Sequence, residues 1–173
     1  MLEKLFKYDF DKVFELMQKS FPGDEYRSYE EQKALLENPF YQIYVLKNYD
    51  NNSVKAFMAV WEFDNFAFLE HFAVNDEYRN GGIGAKILNE LIDLIGKIIC
   101  LEVELPEDEF ASRRISFYQR NGFFLNHYPY IQPSISRGKN EISLLIMTSE
   151  RTVSEEEFET YKNVLYSVVY KSD

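Results

Sequence analysis

The chain has 173 residues, of which 46% are hydrophobic and 17% aromatic, and it carries a formal net charge of −10. That composition excludes a disordered chain; the charge argues against nucleic acid as the main partner, because phosphate is repelled by an acidic surface, and it favours cationic ligands. A single cysteine excludes an internal disulfide framework and no apolar run approaches membrane-spanning length, so the expectation is one domain (residues 1–173) in a reducing, cytoplasmic compartment.

In chain order, residues 2–6 read as a short strand. Asp9 or Asp11 can cap a helix running to about Ser20, and Pro22-Gly23 breaks the chain after it. Ser28 and Glu31 have capping-box spacing for a second helix, which stops at Asn38-Pro39. Residues 41–46 and 54–63 form strand candidates around a polar turn. Residues 66–74, FAFLEHFAV, are apolar on both faces, the mark of a central strand covered on both sides. Ile83, Ile87, Leu88, Leu91, Ile92 and Ile95 then recur at helical spacing, and Gly96 ends that helix. Residues 98–105 read as a strand. Pro106-Glu107-Asp108-Glu109 opens a helix with acids in its first turn, and Asn121-Gly122 closes it. Residues 123–128 and 143–147 are the last strands. Ser154 and Glu157 repeat the capping-box spacing, and Phe158, Tyr161, Leu165 and Val168 stripe a terminal helix. The order predicts an α/β (α+β) fold: a central mixed sheet of about six to seven strands flanked by helices, plus an extra C-terminal helix.

The densest signal is Arg79-Asn80-Gly81-Gly82-Ile83-Gly84, which holds three of the chain's seven glycines immediately before a helix. Glycine permits positive φ and close backbone approach. A loop of this kind aims free N–H groups at one point, where the helix dipole adds partial positive charge, and the natural occupant is a phosphate. A Walker A loop needs Gly-Lys-Ser/Thr, which Gly84-Ala85-Lys86 does not supply. The dinucleotide fingerprint needs a third glycine that Gly82-Ile83-Gly84-Ala85-Lys86-Ile87 lacks. The R-x-x-G-x-G pattern after the strand end Phe72-Ala73-Val74 resembles the coenzyme A loop of the GNAT acyltransferase superfamily. Phe117-Tyr118-Gln119-Arg120-Asn121-Gly122-Phe123 is similar to that family's Phe-Tyr-x-x-x-Gly-Phe signature. The resemblance covers residues 2–148, so the core ends at about 148 and residues 154–170 are a helical extension.

The resemblance implies transfer of an acetyl group from acetyl-CoA to a primary amine of a small molecule or peptide, through a ternary complex and without a metal. It implies that the backbone of Arg79, Asn80, Gly81, Gly82, Ile83 and Gly84 holds the pyrophosphate, and that the backbone of Phe72, Ala73 and Val74 pairs with the pantetheine arm. Tyr118 matches the family's thiol-protonating tyrosine. Where many relatives carry asparagine, seven residues before Tyr118, this chain has Ala111; Arg113 or Arg114 is the substitute contact to a cofactor phosphate. Glu70 is the candidate base: alternation puts it in a row with Phe68, Phe72 and Val74, and desolvation there lifts a carboxyl toward useful values. His71 alternates to the opposite face, and either it or His127 is a further base candidate. Cys100 reads as core. The resemblance implies that the acceptor pocket is built by segments 21–28 and 128–140, where Asp24, Glu25, Tyr26, Tyr128 and Tyr130 suit a cationic amine. A non-catalytic acyl-CoA sensor is the alternative from another class. The terminal stripe needs cover, either from the chain's own sheet or from a second copy in a homodimer.

Overall fold

A computed structural model describes residues 1–172. Seven strands form one sheet in the order β1-β2-β3-β4-β5-β7-β6. They are β1 (Glu3–Lys4), β2 (Tyr41–Asn48), β3 (Ser53–Glu62), β4 (Ala67–Val74), β5 (Ile99–Glu104), β6 (Phe123–Gln132) and β7 (Ile142–Ser149). Among the described residues there are five α-helices: α1 (Phe10–Ser20), α2 (Tyr29–Ala34), α3 (Ile83–Ile95), α4 (Glu109–Arg120) and α5 (Glu155–Val164). Neighbouring strands are antiparallel except β4 and β5. That parallel pair requires a crossover, which α3 supplies.

Each face of the sheet buries its own apolar cluster. α1 and α5 cover one face, with Phe10, Val13 and Met17 packed near Ile43, Phe57, Phe68, Phe158 and Leu165. α3 and α4 cover the other, with Ile87, Leu88, Leu91 and Ile115 on Met58, Leu101 and Phe123. The central strands are apolar on both sides because both sides are covered.

Two local features set the geometry of the site. Between β3 and β4, Ala59 pairs with His71 and Val60 with Leu69, so Glu70 is the extra residue of a β-bulge in β4. Strict alternation fails there. Glu70 and His71 both turn toward the α1 face, where they meet Trp61 and Phe21, whereas Phe72 and Val74 pack on the α3 face. The expected row of Glu70 with Phe72 and Val74, and the expected opposite placement of His71, are thereby corrected. The second feature is the β4–β5 ladder, which joins only Ala67, Phe68 and Leu69 to Ile99, Cys100 and Leu101. Beyond Leu69, β4 runs on to Val74 while β5 stays with β7, and the two strands part.

Smaller departures have equally local causes. Asp9 occupies the N-cap of α1 but makes no capping bond; its carboxylate is taken by Lys47 and Lys12. β6 extends to Gln132, past the expected end at 128, after an irregularity between Asn126 and Tyr130. The terminal helix changes to a π-turn over Leu165–Val169, which moves the apolar stripe from Val168 to Val169 and Tyr170, both buried.

Candidate active site

The glycine loop follows β4. Arg79 turns back on it: its Nε donates to the Val74 carbonyl at 3.1 Å and its guanidinium pairs with Asp76 at 2.6 Å. Asn80 and Gly82 take positive φ, 67° and 77°, and Gly82 is the N-cap of α3. A Cβ added at Gly81 or Gly82 would meet nothing within 4 Å, so this side of the loop is open. Gly84 differs, because its added Cβ would touch the Phe117 ring at 3.5 Å and Val74 at 3.7 Å. The third glycine thus seats α3 against α4 and the end of β4, and the first two leave room for a ligand. The Lys86 N–H closes the first helical turn on the Gly82 carbonyl at 3.1 Å. The N–H groups of Ile83, Gly84 and Ala85 have no carbonyl a turn behind them, and they point with the positive end of the α3 dipole.

Where β4 leaves β5 there is a narrow slot of about 40 Å³. Glu70 and His71 line it from β4, and Glu102 and Glu104 from β5. Glu25 comes from the segment after α1, Arg114 from α4 and Gln132 from β6. The four carboxyl groups are not equivalent. Glu70 is clasped bidentately by Arg27, at 3.2 and 2.9 Å, and accepts from Trp61 Nε1 at 2.8 Å. Burial is the largest single influence and pushes its pKa up, but Arg27, His71 and the Trp61 bond together outweigh it and the net shift is down. The expected lift of Glu70 is therefore reversed. Glu102 accepts from the Tyr130 hydroxyl at 2.6 Å and from Tyr170 at 2.7 and 2.9 Å, yet burial raises it to about 8. Burial raises Glu25 to about 7, helped by Glu104 and opposed by Arg114. His71 is lowered by burial.

A family model described as the acetyltransferase (GNAT) family matches residues 10–123. The chain belongs to the GNAT acetyltransferase family. A provisionally named acetyltransferase, YjbC of Bacillus subtilis (strain 168), is 30% identical over 159 residues, covering 87% of this chain and 80% of that protein. A provisionally named GNAT-family acetyltransferase from Bacteroides thetaiotaomicron superposes with a TM-score of 0.90 at 32% identity, over 100% of this chain and 99% of that one. A GNAT superfamily phosphinothricin acetyltransferase from Sinorhizobium meliloti, solved in complex with acetyl-CoA, shares the fold, with a TM-score of 0.62, 16% identity, and coverage of 90% and 93%.

Against this GNAT frame the candidate residues separate. Tyr118 is 8% exposed on the α3 face, edge-on to Phe117 and Phe123, and burial raises its phenol to about 12. Arg113 points outward and pairs with Glu109 at 2.5 Å; Arg114 is the arginine at the slot. Of the five acceptor candidates, Glu25 lines the slot and Tyr130 supports Glu102 from behind. Asp24 instead accepts from Asn140, tying together segments 21–28 and 128–140. Tyr26 packs on Phe14 beneath Lys139, and Tyr128 donates to the Val153 carbonyl. Cys100 is fully buried and burial raises its thiol.

Sequence reasoning missed Arg27, Glu102, Glu104, Gln132 and Tyr170. One signal was available: in Cys100-Leu101-Glu102-Val103-Glu104, two acids share one face of an otherwise apolar strand, where a carboxyl group needs a reason to be. For Arg27 and Tyr170 there was none, because their partners lie 43 and 68 residues away. Among the described residues, no group of three or more His, Cys, Asp or Glu is arranged to hold a metal, and no helix is long and apolar enough to cross a membrane.

Proposed function

We propose that this chain transfers the acetyl group of acetyl-CoA to a primary amine by direct attack within a ternary complex. The observation that carries this is continuity: the β4–β5 parting has an open glycine loop and helix N-terminus following β4, and an acid-lined slot at the parting itself. The donor supplies an activated acetyl group as a thioester. The N–H groups of the 79–84 loop hold its pyrophosphate. The backbone of Phe72, Ala73 and Val74 lies along the parting strand and offers an edge for the pantetheine arm, with an amide to polarise the thioester carbonyl.

The proton ledger assigns the remaining work. An alkylammonium must lose one proton before its lone pair can attack, and the nitrogen loses a second when the amide forms. One proton ends on the departing sulfur and the other goes to solvent. Tyr118 keeps its phenolic proton and so can donate to the thiolate. Glu70 is held ionised by Arg27 and Trp61, which makes it an anchor of the slot wall.

The test of the cofactor half is Gly82→Asp. It adds a carboxylate where the loop is open, against the pyrophosphate. A charge-assisted hydrogen bond is worth about 1.5–3 kcal/mol, so acetyl-CoA affinity measured by calorimetry should fall by at least about tenfold. Equal affinity for parent and variant would reject the loop as the binding site.

A further inference from the structure

Three buried side-chain polar atoms lack a hydrogen-bond partner among the described residues: Glu25 Oε2, His71 Nδ1 and Gln132 Nε2. All three residues line the one slot between β4 and β5. His71 is 2% exposed and Gln132 3%. Buried polar groups are nearly always paired, and leaving one unpaired costs its desolvation. Three in one small space mark a surface shaped for a polar ligand.

The chemistry of that molecule follows from the atoms. His71 Nε2 lies 2.6 Å from the Glu25 carbonyl oxygen. A carbonyl only accepts, so Nε2 carries the ring proton and Nδ1 presents a bare lone pair. The slot therefore offers two acceptors, that lone pair and the Glu25 carboxylate oxygen, with Glu102 and Glu104 beside them, and one donor, the Gln132 amide nitrogen, on its β6 wall. A group with several N–H donors and a positive charge is the complement. The small volume admits a slender head and excludes a ring.

We propose that this slot is the acceptor subsite, that it takes a primary alkylammonium, and that Glu25 removes its proton while His71 Nδ1 holds the nitrogen. The proposal rests on the acetyl-transfer reading above. A proton passes from the ammonium to Glu25 Oε2, and the freed lone pair forms the C–N bond with the thioester carbon. The C–S bond breaks, and its electron pair leaves on sulfur, which takes the Tyr118 proton. The amide nitrogen's surplus proton returns Tyr118 to its phenol through solvent, and Glu25 releases its own proton to solvent. Around Glu25 the charged and titratable groups are Asp24 on its own segment, His71 and Glu70 on β4, Glu102 and Glu104 on β5, and Arg114 on α4. Arg27 neutralises Glu70 and leaves the other acids to act on Glu25.

The experiment uses the full chain, acetyl-CoA, and a probe panel from n-propylamine to 1,5-diaminopentane. Thiol release is followed across pH 5–9. Glu25→Gln is isosteric and sits at the end of the short 3-10 turn Gly23–Glu25. It should leave acetyl-CoA affinity unchanged, lower kcat/KM for the best amine by about 10²-fold or more, and abolish the acid limb near pH 7. His71→Gln keeps a donor for the Glu25 carbonyl, and should raise the amine KM by about tenfold with kcat less affected. A Glu25→Gln enzyme with the parent's rate and acid limb would overturn the proposal. So would a parent that binds acetyl-CoA yet acetylates no amine of the panel. Failure of the parent to bind acetyl-CoA would instead remove the reading on which the proposal stands.

Discussion

In the proposed reaction Tyr118 serves as the acid because its surroundings leave its proton in place. Burial lifts its phenol to about 12, and the rings of Phe117 and Phe123 fix its orientation. Tyr118→Phe keeps the ring and removes the donor. Acetyl-CoA affinity should be unchanged and turnover should fall by about 10²–10⁴-fold; unaltered turnover on a good amine would return Tyr118 to a packing role. Glu70 shows the opposite arrangement. Its carboxylate is also deeply buried, but Arg27 and Trp61 satisfy it, so desolvation does not win. Which of two buried acids is poised for proton transfer is decided by partners that stand far away in the chain.

The terminal helix lies beyond residues 10–123, the span that the family model matches, and it is built into this molecule. A capping box at Ser154 and Glu157 starts α5, and Phe66 stacks on Tyr161 with centroids 4.2 Å apart. The π-turn then delivers the Val169 carbonyl to Arg27 at 3.4 Å and the Tyr170 hydroxyl to Glu102. The chain's own sheet covers the stripe. Phe158, Tyr161, Leu165, Val169 and Tyr170 are all buried, at about 1.5–3 kcal/mol each for a fully buried apolar side chain before ordering entropy is subtracted. That is comparable with the whole stability of a domain, about 5–15 kcal/mol. Deleting residues 154–173 should prevent folding or lower the melting temperature by more than about 10 °C. A truncated chain that melts within a few degrees of the parent would show that the contacts are dispensable.

At the scale of the molecule, two opposed sets of acids govern stability against pH. Glu70 and Asp9 have lowered folded pKa values, caused by Arg27 for the first and by Lys47 and Lys12 for the second. Their contribution is present above the ordinary carboxylate range and is lost as pH falls through the folded values. Glu25 and Glu102 are raised, to about 7 and about 8. Between about pH 4.5 and 8 the folded state holds protons that the unfolded chain has released, so stability falls as pH rises across that window. His71, lowered by burial, works the other way only below about 6.5, and one imidazole does not offset two carboxyl groups. The unfolding free energy from urea titration should therefore be larger at pH 5 than at pH 8 by on the order of a few kcal/mol, and the midpoint correspondingly higher. A midpoint that rises from pH 5 to pH 8 would contradict the placement of the two raised carboxyl groups.

Local chemistry made much of this legible in the chain alone. Glycines before an apolar helical stripe specify an open helix start, capping residues specify where helices begin, and apolar strands specify the layered sheet, because each depends on residues a few positions apart. The Gly81–Gly82 opening and the caps at Ser28 and Ser154 follow that rule. Tertiary structure decided what depends on distant partners. The bulge at Glu70 brings Glu70 and His71 to one face. Arg27, 43 residues from Glu70, sets that carboxylate's charge, and Tyr170, 68 residues from Glu102, joins the C-terminus to the slot. Register slips and long-range ion pairs leave no periodic trace in a sequence, because they arise only when separate segments compete for the same buried space.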